Sequence, residues 1–434
     1  MANILPFAAL RYDPQRVSLA QVVTQPYDKI TPRMQERYYA ASPYSLVRII
    51  LGRRLPQDNT EENVYTRAAA SFRDWRRNEI LRQDFAPSLY VYSQRFTAPG
   101  TKQEHERRGF IALGHLEDYS AKIVFRHEQT LAKPKADRLD LLRATRAHFG
   151  QLFMLYEDSG EIDSLLATSV KKSPDIEVAD EYGVVHRVWQ ISDPAVIDCA
   201  RAKMRGKKLI IADGHHRYET AIHYRNERRA QAKSSGGDAA YEYAMMTLVN
   251  MNSPDLLILP THRVVHGLAS FSPDGFLASA RSLFEVQELD RDLNGAKATA
   301  ILREHGNTAT ALLAILGDRC LLLKNLKSTA SRFLSGLSER QCRLDVVQLH
   351  KCLLEGVLKL SEESIRNQQH LFYIRDADEA VSAVGEGRAN VAFLMNPCRI
   401  GQVRNIAFAG EVMPQKSTDF YPKLLSGLTI YALE

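Results

Sequence analysis

Short runs of alternating apolar and polar residues dominate the first part of the chain, and helical spacing appears between them. Residues 60–81 repeat apolar positions at helical intervals behind Thr60, with Glu61 and Glu62 in the first turn, which predicts a helix capped by Thr60. Residues 88–96 alternate as a strand does, with Leu89 and Val91 on one face. Residues 109–116 continue as the partner strand, and 97–108 read as the loop between them. Residues 207–212 form a short apolar strand that Asp213 and Gly214 break, and 215–232 follow at helical spacing. Residues 233–240, rich in Ser and Gly, predict a surface loop, and 245–249 and 256–259 predict further strands.

After about residue 267 the pattern changes. Residues 276–284 predict a helix, and 309–316 with 319–324 predict a β-hairpin turning at Gly317 and Asp318. A helix over 344–360 follows, then strands at 371–374 and 391–395 around a helix at 376–386, and a polar loop over 413–418. The organisation expected is α+β, with a core domain over 1–267 and a C-terminal α/β domain over 268–434.

Composition narrows the class. Of 434 residues, 45% are hydrophobic and 25% charged, the balance of a globular chain. The formal net charge is +6, and clusters such as Arg73, Arg76 and Arg77 are interleaved with acids. Solvated helix faces account for them, so nucleic acid is not an expected partner, whereas a small anionic ligand suits the balance. The five cysteines form no CxxC pair, which argues against a disulfide framework or a thiolate zinc site. No leader pattern and no run of about 18 apolar residues is present, so a cytoplasmic protein without a membrane span is expected. The sequence carries no signal of an oligomeric state.

Candidate chemistry centres on Asp213, Gly214, His215, His216 and Arg217. A strand feeding a Gly turn that opens a helix presents free N–H groups and partial positive charge to phosphate. Arg217 adds a planar cationic fork. Asp213 stands where it either binds magnesium or orients a histidine. The bland alternative is a helix cap flanked by histidines. A zinc site of a metal-dependent hydrolase, built from His215, His216 and His223, is a weak alternative, because His216 and His223 are seven apart rather than four.

Three further groups stand out. His127, Glu128, Gln129 and Thr130 follow the apolar run 123–125, and Glu128 has the place of a general base. Lys135 and Arg138 downstream offer charge to phosphate, although by spacing alone this is a charged loop leading into a helix. Lys416, Ser417 and Thr418 suit a carboxylate or phosphate, and otherwise form a polar turn. Pro260, Thr261, His262 and Arg263 end a strand, where a His-Arg pair can face a cleft, and read by preference as a solvated loop.

Taken in order, Phe7, the run Pro26 to Ile30, Ser42 to Tyr44 with Val47 and Arg48, His127 to Thr130, Asp213 to Tyr218 and Met413 to Thr418 resemble a bacterial domain-of-unknown-function family over nearly the whole chain. That pattern in turn resembles the ADP-dependent free serine kinases of the ParB/sulfiredoxin superfamily. The likeness lies in the His-Glu pair, the Asp-Gly-His-His-Arg loop and the Lys-Ser-Thr segment. It implies a ParB/sulfiredoxin-like nucleotide-binding core and phosphoryl transfer from ADP or ATP, with magnesium, to the hydroxyl of a small molecule such as free L-serine. It also implies Glu128 as the base, Asp213 as a second catalytic or metal-binding carboxylate, and Gly214, His215, His216 and Arg217 as the phosphate cradle. His127, Thr130, Lys416, Ser417 and Thr418 would then hold the acceptor, in one cleft with the phosphate loop. Three departures are visible. Asp419 and Phe420 replace a histidine that follows the serine loop in the kinases, and segments 55–108 and 271–343 are additional. His215 stands where sulfiredoxins carry their cysteine, which argues against sulfinic-acid repair. A ParB-like nucleotide-binding regulator of DNA is the other alternative, and no helix-turn-helix pattern follows the phosphate loop to support it.

Overall fold

The computed structural model describes residues 2–128, 133–232, 239–290, 293–306 and 309–433, without the side chains of 133–135, 169 and 171. It is a mixed α/β chain with several sheets. The chain forms two compact units. The first comprises Met1–Arg126, Thr130–Leu257 and Pro422–Glu434, and the second His127–Gln129 and Ile258–Tyr421. The division is discontinuous, unlike the two consecutive blocks expected from sequence. The last residues return to the first unit, and His127 and Glu128 belong to the second.

The first unit is built on a nine-stranded sheet. In chain order its strands are β1 (Ile4–Leu5), β2 (Leu89–Thr97), β3 (Glu104–His115), β4 (Val124–Phe125), β5 (Leu152–Tyr156), β6 (Ile176–Ala179), β7 (Val185–Ile191), β8 (Leu209–Asp213) and β9 (Tyr243–Asn250). Their spatial order is β4-β8-β5-β9-β3-β2-β7-β6, with β1 beside β3. Most pairs are antiparallel, but β8 runs parallel to β4 and β9 parallel to β5. Alternate residues face one core: Leu89 and Val91, Phe110 and Ala112, Leu152 and Met154, Leu209 and Ile211, Met246 and Leu248. Tyr218 and Ala221 of the helix His215–Ala232 close over it.

Two expectations shift here. The helix behind residue 60 is Val64–Arg77, with Asn63 rather than Thr60 as its cap, because Asn59 Oδ1 accepts from the N–H groups of Glu61 and Glu62 and holds that stretch in a turn. Residues 104–108, expected as loop, extend β3, pairing Glu104 with Thr97 through Arg108 with Ser93. Their charged sequence hides the strand, since only Arg107 among them turns fully inward.

The second unit has a six-stranded, wholly antiparallel sheet. Its strands are β10 (His262–Val265), β11 (Phe284–Leu289), β12 (Ala311–Leu316), β13 (Arg319–Leu326), β14 (Leu371–Ile374) and β15 (Val391–Met395), in spatial order β11-β13-β12-β15-β10-β14. Helices Gly295–His305 and Ala377–Gly385 cover one face through Ala298, Leu302, Ala380 and Val384. On the other, Phe276 meets Phe393 at 5.8 Å between ring centroids. The expected 344–360 helix is one α-helical turn, Asp345–Gln348, continued by wider π-helical turns over Leu349–Val357.

Candidate functional site

In the first unit the apolar run of β8 ends in a register shift between Ile211 and Asp213, a bulge that re-aims the strand end. Gly214 follows at φ +96°, and a Cβ there would stand 3.0 Å from Leu152 Cδ2 and 3.1 Å from Arg217 Nη2. Only glycine fits both the backbone and the space. The helix His215–Ala232 begins at once, so its first-turn N–H groups lie at the turn. Gly214 N–H donates to Asp213 Oδ1 at 2.9 Å.

Cations converge on the other carboxylate oxygen. Lys423 Nζ lies 3.6 Å from Asp213 Oδ2, and Arg217 Nη2 lies 3.9 Å from it. Burial opposes ionisation of Asp213, but the charges of Lys423, Arg217 and Lys29 outweigh it and hold the carboxyl far below its usual range. Arg217 is itself anchored, donating through Nη1 to the Gln151 carbonyl. Lys423 is set in place by a buried pair. Arg107, 1% exposed, lies over the Phe153 ring at 4.6 Å and donates to the Pro422 carbonyl at 2.5 Å and to Gln94 Oε1. Gln94 Nε2 donates to the Lys423 carbonyl at 2.8 Å. Sequence reasoning named neither Lys423 nor Arg107, and quoted Lys29 without a role.

This donor set does not fit a resident magnesium at Asp213. Magnesium asks for several hard oxygen ligands in octahedral array. Here a single carboxylate receives an N–H on one oxygen and two cations beside the other. No step through a metal follows from it.

Beside the turn, and sharing Arg217 as a wall, lies a small cleft of about 70 Å³, partly open to solvent. Tyr27, Arg138, Leu142, His148, Phe149 and Thr220 are among its lining residues. The Arg138 guanidinium stacks over the Tyr27 ring at 4.1 Å and is held by Asp137 and by the Ile50 carbonyl. Arg138, named from sequence for phosphate, therefore lines the same cleft as Arg217.

In the second unit the structure brings His127 and Glu128 to the 413–418 loop. Met413 N–H donates to the His127 carbonyl at 2.9 Å, and Glu128 bridges Met413 in parallel. Glu128 Oε1 accepts from Ser417 N–H at 2.9 Å. His127 Nε2 meets Thr418 Oγ1 at 2.7 Å, with no exposed surface of its own. Lys416 takes φ +58°, exposes its side chain, and turns its carbonyl to Arg263 Nη2 at 3.0 Å. The Ser417 hydroxyl closes the turn on the Pro414 carbonyl at 2.5 Å. Thr130 and the Lys135 side chain lie outside the described residues.

The reading of residues 260–263 as a solvated loop is corrected. His262 and Arg263 open β10 and are buried at 3% and 1% exposure. The Arg263 guanidinium is accommodated because main-chain carbonyls of Thr261 and Lys416 accept from it and the Tyr373 ring lies 5.2 Å away. No group of three or more His, Cys, Asp and Glu side chains among the described residues is arranged to hold a metal ion. No described helix is long and apolar enough to cross a membrane.

Several solved structures share a distant likeness with the chain. A conserved hypothetical protein from Pyrococcus furiosus is 11% identical, with 71% of this chain and 92% of that one covered at a TM-score of 0.35. A free serine kinase in complex with AMP is 13% identical, covering 70% and 89% at a TM-score of 0.35. SbnI with a C-terminal truncation, from Staphylococcus aureus, is 10% identical, covering 74% and 87% at 0.33. Among curated proteins none matches. Over residues 4–347 the chain matches the family described as "Protein of unknown function (DUF1015)", and it belongs to that family.

Proposed function

We propose that the protein is a nucleotide-dependent phosphotransferase that moves a phosphoryl group from ADP or ATP to the hydroxyl of a small molecule, free L-serine being the acceptor the sequence motifs favour. The observation that carries this reading is the charge balance at the glycine turn. Three basic side chains, Lys423, Arg217 and Lys29, act on one carboxylate, Asp213, at the start of a helix. That surplus is complementary to a phosphate chain, and the helix start adds N–H donors. Phosphoryl transfer asks the protein mainly for position and charge neutralisation.

In this reading the 209–217 segment belongs to a ParB/sulfiredoxin-like core and holds the donor phosphates, and Glu128 with the 413–418 loop serves the acceptor. The acceptor oxygen attacks the terminal phosphorus. The new O–P bond forms as the bond to the bridging oxygen breaks, and that electron pair leaves with the shortened nucleotide. Glu128 takes the hydroxyl proton. The Ser417 N–H fixes the Glu128 carboxylate and His127 fixes Thr418, so both act as positioning contacts. A sequence fact supports the reading: the three motifs resemble those of the free serine kinases.

The test is incubation with terminally labelled ADP or ATP and a panel of hydroxy amino acids. Labelled phosphoserine is the expected product. Nucleotide that binds but keeps its label with every acceptor would sink the transferase reading. For the turn itself, Arg217→Ala should weaken nucleotide binding by at least about tenfold in calorimetry, the worth of one charge-assisted hydrogen bond.

A further inference from the structure

We infer that Arg263 is a positioning residue for Glu128, whose carboxylate takes the buried guanidinium as its counter-charge and shares with it the turn at Lys416. This deepens the phosphotransferase reading and rests on Glu128 being its base. Arg263, Glu128 and the 413–418 loop all lie within the second unit.

The two side chains hold the same three residues by opposite kinds of hydrogen bond. Arg263 Nη2 donates to the Lys416 carbonyl at 3.0 Å and, more weakly, to the Gln415 carbonyl at 3.4 Å. Glu128 Oε1 accepts from the next N–H, that of Ser417, at 2.9 Å. Between them Lys416 stands at φ +58°, a left-handed backbone that a lysine keeps only where its surroundings fix it. Arg263 and Glu128 supply that fixing, and Gln415 adds to it through Nε2, which donates to the Ile365 carbonyl at 3.0 Å.

Charge ties the pair together as well. Arg263 is 1% exposed, and a buried guanidinium needs a negative partner besides its hydrogen bonds. Its hydrogen bonds go to main-chain carbonyls and to neutral groups, among them His350 Nε2 at 3.4 Å. The titratable groups around it come from several elements. Burial pushes His262, beside it in β10, down to about 4 and takes His350, in the Leu349–Val357 helix, well below its ordinary value. Burial also raises the Tyr373 hydroxyl in β14 and pushes the Cys398 thiol up to about 12. All four are therefore neutral at pH 7. Tyr373, Cys398 and Glu128 are the groups that favour the Arg263 charge, and Glu128 is the carboxylate among them. The chemical consequence follows. A guanidinium keeps its own proton at any working pH and opposes protonation of a nearby carboxylate, so Glu128 stands ready to accept the proton of the acceptor hydroxyl.

Carboxyl-carbon NMR of the full chain, labelled in its glutamate side chains, follows Glu128 as the signal lost in Glu128→Gln. In Arg263→Met, Glu128 should take its proton about one pH unit higher than in the parent. Arg263→Lys keeps the charge and should bring the titration most of the way back. An unchanged titration in a folded Arg263→Met would overturn the proposal. The low-pH limb of kcat should move with the titration while the nucleotide KM stays put, a split that a merely loosened fold would not produce. If the titration moves but no acceptor takes label from the nucleotide, the pair stands and the phosphotransferase reading falls. If product forms but the limb does not move, the transferase stands and Arg263 has no part in it. Should Arg263→Met fail to fold, Glu128→Gln decides. It leaves Arg263 buried without its counter-charge, so it should melt below the parent at pH 7, and the gap should narrow below about pH 4.3, where the parent's own contribution from the ionised carboxylate is lost. Equal melting at pH 7, or a gap that does not narrow, would overturn the pairing.

Discussion

Glu128 and Lys423 make the sharpest claims on single side chains. Glu128 accepts the Ser417 N–H through one carboxylate oxygen. Glu128→Gln retains an acceptor for that N–H and loses only the basicity. It should therefore lower kcat by about 100- to 10,000-fold, the usual worth of a general base, with nucleotide affinity nearly intact. Normal turnover by the Gln variant would make Glu128 a loop residue. Lys423 lies closer to Asp213 than Arg217 does, 3.6 Å against 3.9 Å. Lys423→Met should weaken nucleotide binding at least about tenfold, and Lys423→Arg should recover most of it, because charge rather than shape is at stake. Equal binding by Met and Arg variants would remove Lys423 from the phosphate site.

At the scale of elements, the strand–turn–helix at 209–232 depends on the left-handed backbone of Gly214. Gly214→Ala puts a Cβ at φ +96° and within 3.0–3.2 Å of Leu152 and Arg217. A strain of about 1–3 kcal/mol is expected from the backbone alone. The variant should melt earlier and bind nucleotide more weakly, since Arg217 must move, whereas Gly183→Ala, with open space around it and a similar φ of +75°, should lose stability without losing affinity. This turn was legible in the sequence because its signals are local, an apolar run, a glycine and helical spacing. The hairpin at Gly317, the helix His215–Ala232 and the pairing of 89–97 with the following strand were legible for the same reason. The contacts that place Lys423 were not. Gln94 reaches the Lys423 carbonyl across 329 positions, and Arg107 lies in a run whose charges read as loop. The buried β10 was missed because His262 and Arg263 look solvent-loving, and main-chain carbonyls that satisfy a buried guanidinium leave no trace in sequence.

For the whole molecule, four histidines are held neutral inside the folded chain. Burial pushes His148 and His262 down to about 4, lowers His350 well below its ordinary value, and lowers His186 against the pull of Asp180. Below about pH 6.5 the unfolded chain takes protons that these sites refuse, so each costs up to about 1.4 kcal/mol for every pH unit down toward its folded pKa. Their contribution is complete above about pH 6.5 and is lost as pH falls toward 4. Asp345 works in the opposite direction. Burial raises its carboxyl to about 7, so the folded state keeps a proton that the unfolded chain has lost, and this contribution fades as pH rises from about 4 to 7. His266 and the lowered carboxylates Asp137, Asp158 and Asp213 add to the histidines' direction against Asp345, and acidification from pH 7 to pH 5 should lower the melting temperature. His262 isolates one share of this. Its Nδ1 accepts from Met395 N–H at 3.3 Å, a bond that only the neutral ring makes. His262→Gln should be less stable than the parent at pH 7, having lost a fitted buried ring, yet lose less between pH 7 and pH 5, because nothing at that position then gains a proton on unfolding. Melting curves of both proteins across that interval check the slope, and parallel lines would mean that the folded chain already carries a charged imidazole at His262.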